Sequence, residues 1–451
     1  MKLFKKAKFD SIRIYFFVVT LYLLLNFLVL NGKQAKFSDI GTNEKILALI
    51  ITIIFFIFLL NINIKFFNYG FPLLFFLYLV NNILDIPVEY FWSTIPDSRT
   101  YAKLGISLLE CGKLALKCNE SSYLIFPIGQ PFFSGFFYKY FYNFAPYINV
   151  LLITFTIFIV SKIIKFHTGS NKGIGLFFIL VHSLVYELTP MIISEVTFTF
   201  FFIIFIYYFF TKSNNSFMAP IIYSLAILVR PIGIALFPAV FLLTKNKKRL
   251  FIVLIAVLMS ASIFNFLTSQ KFVVSEFKVN AQEDGFVDNS NYADYLIKIF
   301  SFDPETRNDF ISYLGENFSR LYGESSKECA FIQTCNVYNP MYNFDGTESS
   351  YFKNSKSGNY ISKFMTAVYK LQAPQGVFIF LLPLILICSF IFFKDKNIMF
   401  YSFSIIFLII PSIITSEYGS RFNYSILFLT GILIELLNCK FKSISKFNIF
   451  R

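Results

Sequence analysis

Long apolar runs separated by short polar connectors dominate this chain from its eleventh residue onward. A helix rises about 1.5 Å per residue, so crossing a bilayer core of ~30 Å takes about 20 mostly apolar residues. By that measure the pattern predicts membrane-spanning helices over 11–30, 45–62, 71–86, 146–164, 174–188, 192–210 and 218–229. Five more follow over 232–243, 250–267, 376–393, 398–414 and 422–437. The two short pieces on either side of Arg230 and Pro231 read as separate helices or as one long kinked helix, because proline breaks the backbone ladder. The run 11–30 is too long for a signal-peptide core and lacks a small-residue cleavage site, so it is expected to be the first span.

Two stretches interrupt the apolar pattern. The expected organisation is N-terminal transmembrane helices over 1–86, a first large outer loop over 87–145, and central transmembrane helices over 146–268. A second outer loop domain over 269–375 and C-terminal transmembrane helices with a tail over 376–451 complete it. The expected fold is an all-α polytopic membrane protein of about 12 transmembrane helices, with amphipathic surface helices in the first outer loop.

Composition agrees with this pattern. Hydrophobic residues make up 56% of the chain and charged residues only 15%, with mean hydropathy +0.63. Soluble domains carry roughly 25% charged residues, so a cytosolic enzyme and a disordered chain are both excluded. The net charge of +14 is spread over connectors and forms no nucleic-acid-binding patch. Its distribution orients the chain. Lys2, Lys5, Lys6, Lys8, Lys245, Lys247, Lys248, Arg249, Lys440, Lys442, Lys446 and Arg451 all fall in connectors assigned to the cytoplasm. The loop 269–375 holds 10 basic and 13 acidic residues, as the positive-inside rule expects of an outer segment.

Cysteine placement fits the same sidedness. Cys111 and Cys118 lie in the first outer loop, and Cys329 and Cys335 in the second. Each pair is close enough in sequence to bridge on an oxidising side. Cys388 and Cys439 read as apolar packing residues. The loop cysteines lack zinc-ligand spacing and have no nearby histidine, so no metal ligand is assigned.

Four polar features reach the outer side on this layout. Asp97 follows Pro96 at the start of an amphipathic stretch, with Tyr101, Leu104, Leu108 and Leu109 on one face and Lys103, Ser107, Glu110 and Lys113 on the other. Such a stretch predicts a helix lying flat at a membrane surface. Ser194 and Glu195 open the sixth span, where a capping role is the plainer reading. Arg230 interrupts an apolar run. A charge there costs about 2.5–3.5 kcal/mol on insertion scales, so it needs a partner such as Glu195 or Asp97, or a polar cavity. Glu417 and Arg421 occupy a short turn before the last span. Guanidinium groups suit a phosphate, and a carboxylate suits a general base acting on a hydroxyl nucleophile. No phosphate-binding glycine loop and no Ser-His-Asp order occurs, which points to an already activated, lipid-linked sugar donor.

These features resemble the class C glycosyltransferases, the group that includes the protein O-mannosyltransferases and lipid A aminoarabinose transferase. Pro-Asp-Ser-x-x-Tyr at Asp97, Phe-Pro-x-x-x-Pro at 126–131, Ser194-Glu195, Leu-Val-Arg-Pro-x-Gly at 228–233 and Glu-x-x-x-Arg-Phe at 417–422 carry the resemblance in order along most of the chain. It implies a catalytic role for Asp97 with Glu195, and substrate-binding roles for Tyr101, Arg230, Glu417 and Arg421. The implied activity moves a sugar from a polyprenyl phosphate to a glycan, lipid or protein acceptor at the outer face of a bacterial inner membrane. No separate cofactor is expected beyond the polyprenyl-phosphate sugar, and metal dependence is left open; the expected partners are membrane lipid, donor and acceptor, with no nucleic acid. Two other readings compete. One is an O-antigen polymerase or ligase, which the net acidic large loop disfavours. The other is a lipid-linked glycan flippase or transporter, which should show broken spans in matching positions.

Overall fold

The computed structural model describes residues 70–84, 86, 88–93, 96–122, 126–169, 173–180, 183–211, 217–273, 375–392, 394–414 and 423–448. They are mostly helical, and no strand occurs among them beyond an isolated antiparallel bridge between Ala115 and Ser122. The expected spans 11–30 and 45–62, nearly all of the 269–375 loop with Cys329 and Cys335, and the turn holding Glu417 and Arg421 lie outside the described residues. The described helices belong to two compact units, one within 70–273 and one within 375–448.

The first unit opens with α1 (Gly70–Ile83), α2 (Val88–Ser93), α3 (Pro96–Cys111) and α4 (Gly129–Tyr140). A 3-10 turn over Tyr142–Phe144 leads into α5 (Ala145–Thr168), which starts with Pro146 in its first turn, where proline is favoured. Gly169 ends α5 in the left-handed conformation at φ +66°. Then come α6 (Ile174–Leu180), α7 (Ser183–Leu188), α8 (Ser194–Thr211) and α9 (Met218–Val229). A 3-10 segment over Pro231–Leu236 precedes α10 (Phe237–Leu243) and α11 (Lys247–Ser269). Asn246 caps α11, its Oδ1 accepting from the Arg249 amide at 3.2 Å.

Among the described residues, four helices are long and apolar enough to cross a membrane: 142–168, Ser194–Thr211, Lys247–Ser269 and 424–443. Elsewhere the structure departs from the expected runs. The run 174–188 holds α6 and α7, and residues 181–182 between them lie outside the described residues. The run 218–243 is neither one kinked helix nor two full spans. Arg230 is extended (φ −149°, ψ 115°), and the chain reverses there. Tyr223 Oη donates to Gly233 O at 2.8 Å, so the segment after Pro231 runs back beside α9. With 12 residues, α9 reaches only about 18 Å along its axis.

The ends of the first unit sort by chemistry. At one end the His167 and Phe210 rings meet at 4.7 Å, Arg249 stacks over Phe217 at 4.1 Å, and Lys247 sits over Phe241 at 4.6 Å. At the other end Asn149 Nδ2 donates to Met191 O at 2.7 Å, and Ser122 Oγ donates to Thr268 O at 3.3 Å. Lys162, Lys165, Lys245, Lys247, Lys248 and Arg249 thus share one end, while Asp97, Glu195 and the Arg230 turn share the other.

The stretch between α2 and α5 is built around glycine. A Cβ on Gly105 of α3 would overlap Pro131 O and come within 2.6 Å of the Gly135 Cα of α4. Only residues without a side chain allow the two backbones this close. Ser98 and Ala102 share the Gly105 side of α3 and are buried with it. Ser107, expected on the polar face and half a turn round from Gly105, is buried as well, which corrects that expectation. Lys103 and Glu110 remain exposed as expected. A Cys111–Cys118 disulfide closes the turn after α3, with the two Cα atoms 5.8 Å apart.

The second unit contains α12 (Gln375–Ile391), α13 (Lys396–Ile414) and α14 (Asn423–Asn448). Ser402 Oγ donates to Ser389 Oγ at 2.8 Å, tying α13 to α12. Lys440 Nζ meets Asp395 Oδ2 at 2.7 Å, which brings the basic end of α14 to the α12–α13 connector.

Candidate functional site

Three of the residues singled out from sequence converge on one cluster. Glu195, in the first turn of α8, and Arg230, the residue that ends α9, form an ion pair with Oε1 and Nη1 3.1 Å apart. Both are nearly sealed from solvent, at 2% and 8% exposure. Arg230 stands there because the backbone breaks. Its amide still donates to Ala226 O, while its carbonyl accepts from Gly233. Desolvating two charges costs several kcal/mol per ion, which only close pairing and hydrogen bonding offset.

Tyr101 joins the cluster from α3. Its hydroxyl donates to Ser194 Oγ at 3.4 Å, and Ser194 Oγ donates to Glu195 Oε2 at 3.3 Å. A polar line therefore runs from α3 through the start of α8 to the guanidinium at the end of α9. The Phe126 ring stands edge-on to Tyr101 at 4.7 Å and covers it. Asp97 is half-buried one helical turn before Tyr101. Residues four apart on a helix are neighbours on one face, so α3 carries Asp97 to the edge of the cluster. Glu417 and Arg421 lie outside the described residues, and the structure adds nothing to their placement.

The carboxylate of Glu195 engages Ser194 and Arg230. Of the two candidate partners named for Arg230, Glu195 is thus in contact with it. No group of three or more His, Cys, Asp or Glu suited to a metal ion occurs among the described residues.

Several contributors escaped the sequence reading. Gly129 rests against the last turn of α9, where an added Cβ would lie 2.5 Å from Leu228 O. That contact fixes α4 against the Leu228–Val229 peptide, just before Arg230. Asn149 of α5 holds the Met191 carbonyl of the turn leading into Ser194. Gln130 is buried at 2% exposure, its Nε2 donating to Ser134 Oγ at 3.0 Å. The cluster Pro127-Ile128-Gly129-Gln130-Pro131 marks a turn in sequence, but nothing in it says which neighbour its glycine meets.

No protein-family model, curated protein or solved structure matches this chain.

Proposed function

We propose that this chain is a multi-pass membrane glycosyltransferase that takes its sugar from a polyprenyl phosphate. The observation that carries the reading is the buried line Tyr101–Ser194–Glu195–Arg230, with Asp97 one turn away, at the end of the first unit opposite its basic connectors. In the proposed reaction an acceptor hydroxyl oxygen attacks the anomeric carbon and Asp97 takes the hydroxyl proton. The bond from that carbon to the phosphate oxygen breaks, and the electron pair leaves with the polyprenyl phosphate. Arg230, oriented by Glu195, contacts the donor phosphate.

The membrane reading rests on the four long apolar helices and on the aromatic face of α4, where Phe132, Phe136 and Tyr140 are exposed. Aromatic rings of this kind suit the membrane–water boundary. The full proposed layout keeps about 12 spans, both termini in the cytoplasm and the site outside. The test is transfer in proteoliposomes supplied with undecaprenyl-phosphate hexoses, beside mass spectrometry of envelope glycans with and without the gene. Glycans unchanged by loss of the gene, with no transfer in vitro, would reject the reading.

One observation favours a transporter instead. The helical stretch 218–243 is interrupted at Arg230, and broken helices line substrate paths in transporters. Movement of an intact lipid-linked sugar across proteoliposomes without bond cleavage would select that alternative.

A further inference from the structure

Helices α3 and α4 carry buried side-chain oxygens with no hydrogen-bond partner among the described residues: Ser98 Oγ, Ser107 Oγ and Gln130 Oε1. Gln130 stands apart because its backbone is pinned on both sides. Gly129 before it rests on the Leu228–Val229 peptide of α9, and the carbonyl of Pro131 after it abuts Gly105 of α3. Its side chain is held as well, since the amide nitrogen donates to Ser134 Oγ at 3.0 Å. One acceptor, Oε1, is left over in a site 2% exposed. A buried acceptor kept unmet is unfavourable, and holding it rigid one residue from the α9 turn that presents Arg230 gives it a place in the same site. An amide oxygen accepts from a neutral hydroxyl, whereas an anionic phosphate would repel it.

We infer that Gln130 is a recognition residue for the sugar: its Oε1 accepts a hydrogen bond from a hydroxyl of the hexose carried on the lipid phosphate. The inference rests on the function proposed above and adds to it the part of the donor that Gln130 reads. A site with a buried polar group rejects a ligand that cannot pair with it more strongly than an apolar pocket rejects an extra atom.

The experiment measures binding to the full chain in nanodiscs, with undecaprenyl phosphate and a panel of undecaprenyl-phosphate hexoses as probes. Gln130→Leu should weaken the best-bound hexose lipid about tenfold, the equivalent of one neutral hydrogen bond, and leave the sugar-free lipid within about twofold. Gln130→Glu keeps an acceptor and should restore part of the loss. Ser134→Ala frees the amide without touching the acceptor and should give a smaller loss of the same selective kind; it serves as the test if Gln130→Leu fails to fold. Equal binding of the hexose lipid by wild type and Gln130→Leu, or equal loss for both probes, would overturn the inference while the glycosyltransferase reading stands. If the wild-type chain binds neither lipid, the functional reading fails and the role of Gln130 falls with it.

Discussion

Glu195 Oε1 and Arg230 Nη1 meet at 3.1 Å where the start of α8 faces the end of α9. The pair braces Arg230, the extended residue between α9 and the 3-10 segment that follows. Removing one member takes a countercharge from the other, which stays buried.

Arg230→Met and Glu195→Leu are therefore each expected to destabilise the first unit by about 3–5 kcal/mol, and the double variant by much less than the sum. Thermal and denaturant unfolding in detergent measure this. A single variant as stable as the wild type would mean that the pair is not closed in solution.

Asp97 makes the sharper functional test. Asp97→Asn keeps the shape and removes the charge, so transfer should fall by about 10²–10⁴-fold, the usual contribution of a general base. Folding and donor binding should persist, because Asp97 is only half-buried. Near-normal transfer by Asp97→Asn in proteoliposomes would move the base to Glu195 or Glu417.

Close packing of α3 on α4 predicts a graded glycine series. Gly105→Ala drives a Cβ into the backbone of Pro131 and Gly135 and should cost about 1–3 kcal/mol or more. Gly233→Ala meets chiefly the movable side chains of Ile227 and Phe198, at 3.0 and 3.1 Å, and should cost less. Melting temperatures in one detergent rank the two; the reverse order would refute the packing.

Asp395 supplies a pH signature in the second unit. Burial alone would raise its pKa, but hydrogen bonds from Lys440 and from the Asn397 and Ile398 amides, with the Lys440 charge, bring it below the ordinary carboxylate value. A carboxyl lowered on folding stabilises the folded state above its unfolded pKa of ~3.9 and loses that contribution as pH falls through the folded value. The wild type should thus be more stable than Asp395→Asn at neutral pH by up to about 1 kcal/mol, the pair being partly exposed. That margin should shrink once the pH drops below about 4. Melting curves of both proteins against pH decide it; a margin independent of pH would sever the link to Lys440.

Sequence pattern conveyed the long helices well. The predicted spans 146–164, 192–210 and 250–267 fall within or largely overlap α5, α8 and α11, because a membrane-length apolar run has few alternatives to a helix. It also named Glu195 among the candidate partners of Arg230, since an arginine in such a run pairs with a carboxylate or faces a polar cavity. It failed where backbone, not side chain, makes the contact. Gly105 and Gly135 let α4 approach α3, and glycine has no polarity from which a face can be read. The reversal at Arg230 was equally opaque: Pro231 announces a break, but only the Tyr223 bond to the Gly233 carbonyl shows which way the chain turns.

The order in which the ribosome delivers these residues matters for the reversal. Synthesis proceeds at roughly 5–20 residues per second, so Glu195 is made seconds before Arg230. During that interval the Glu195 carboxylate precedes its Arg230 partner, an acceptor already in place when the guanidinium arrives. Order of synthesis and order of contact therefore run together here: the ion pair that joins the start of α8 to the end of α9 forms only once the later helix has been made.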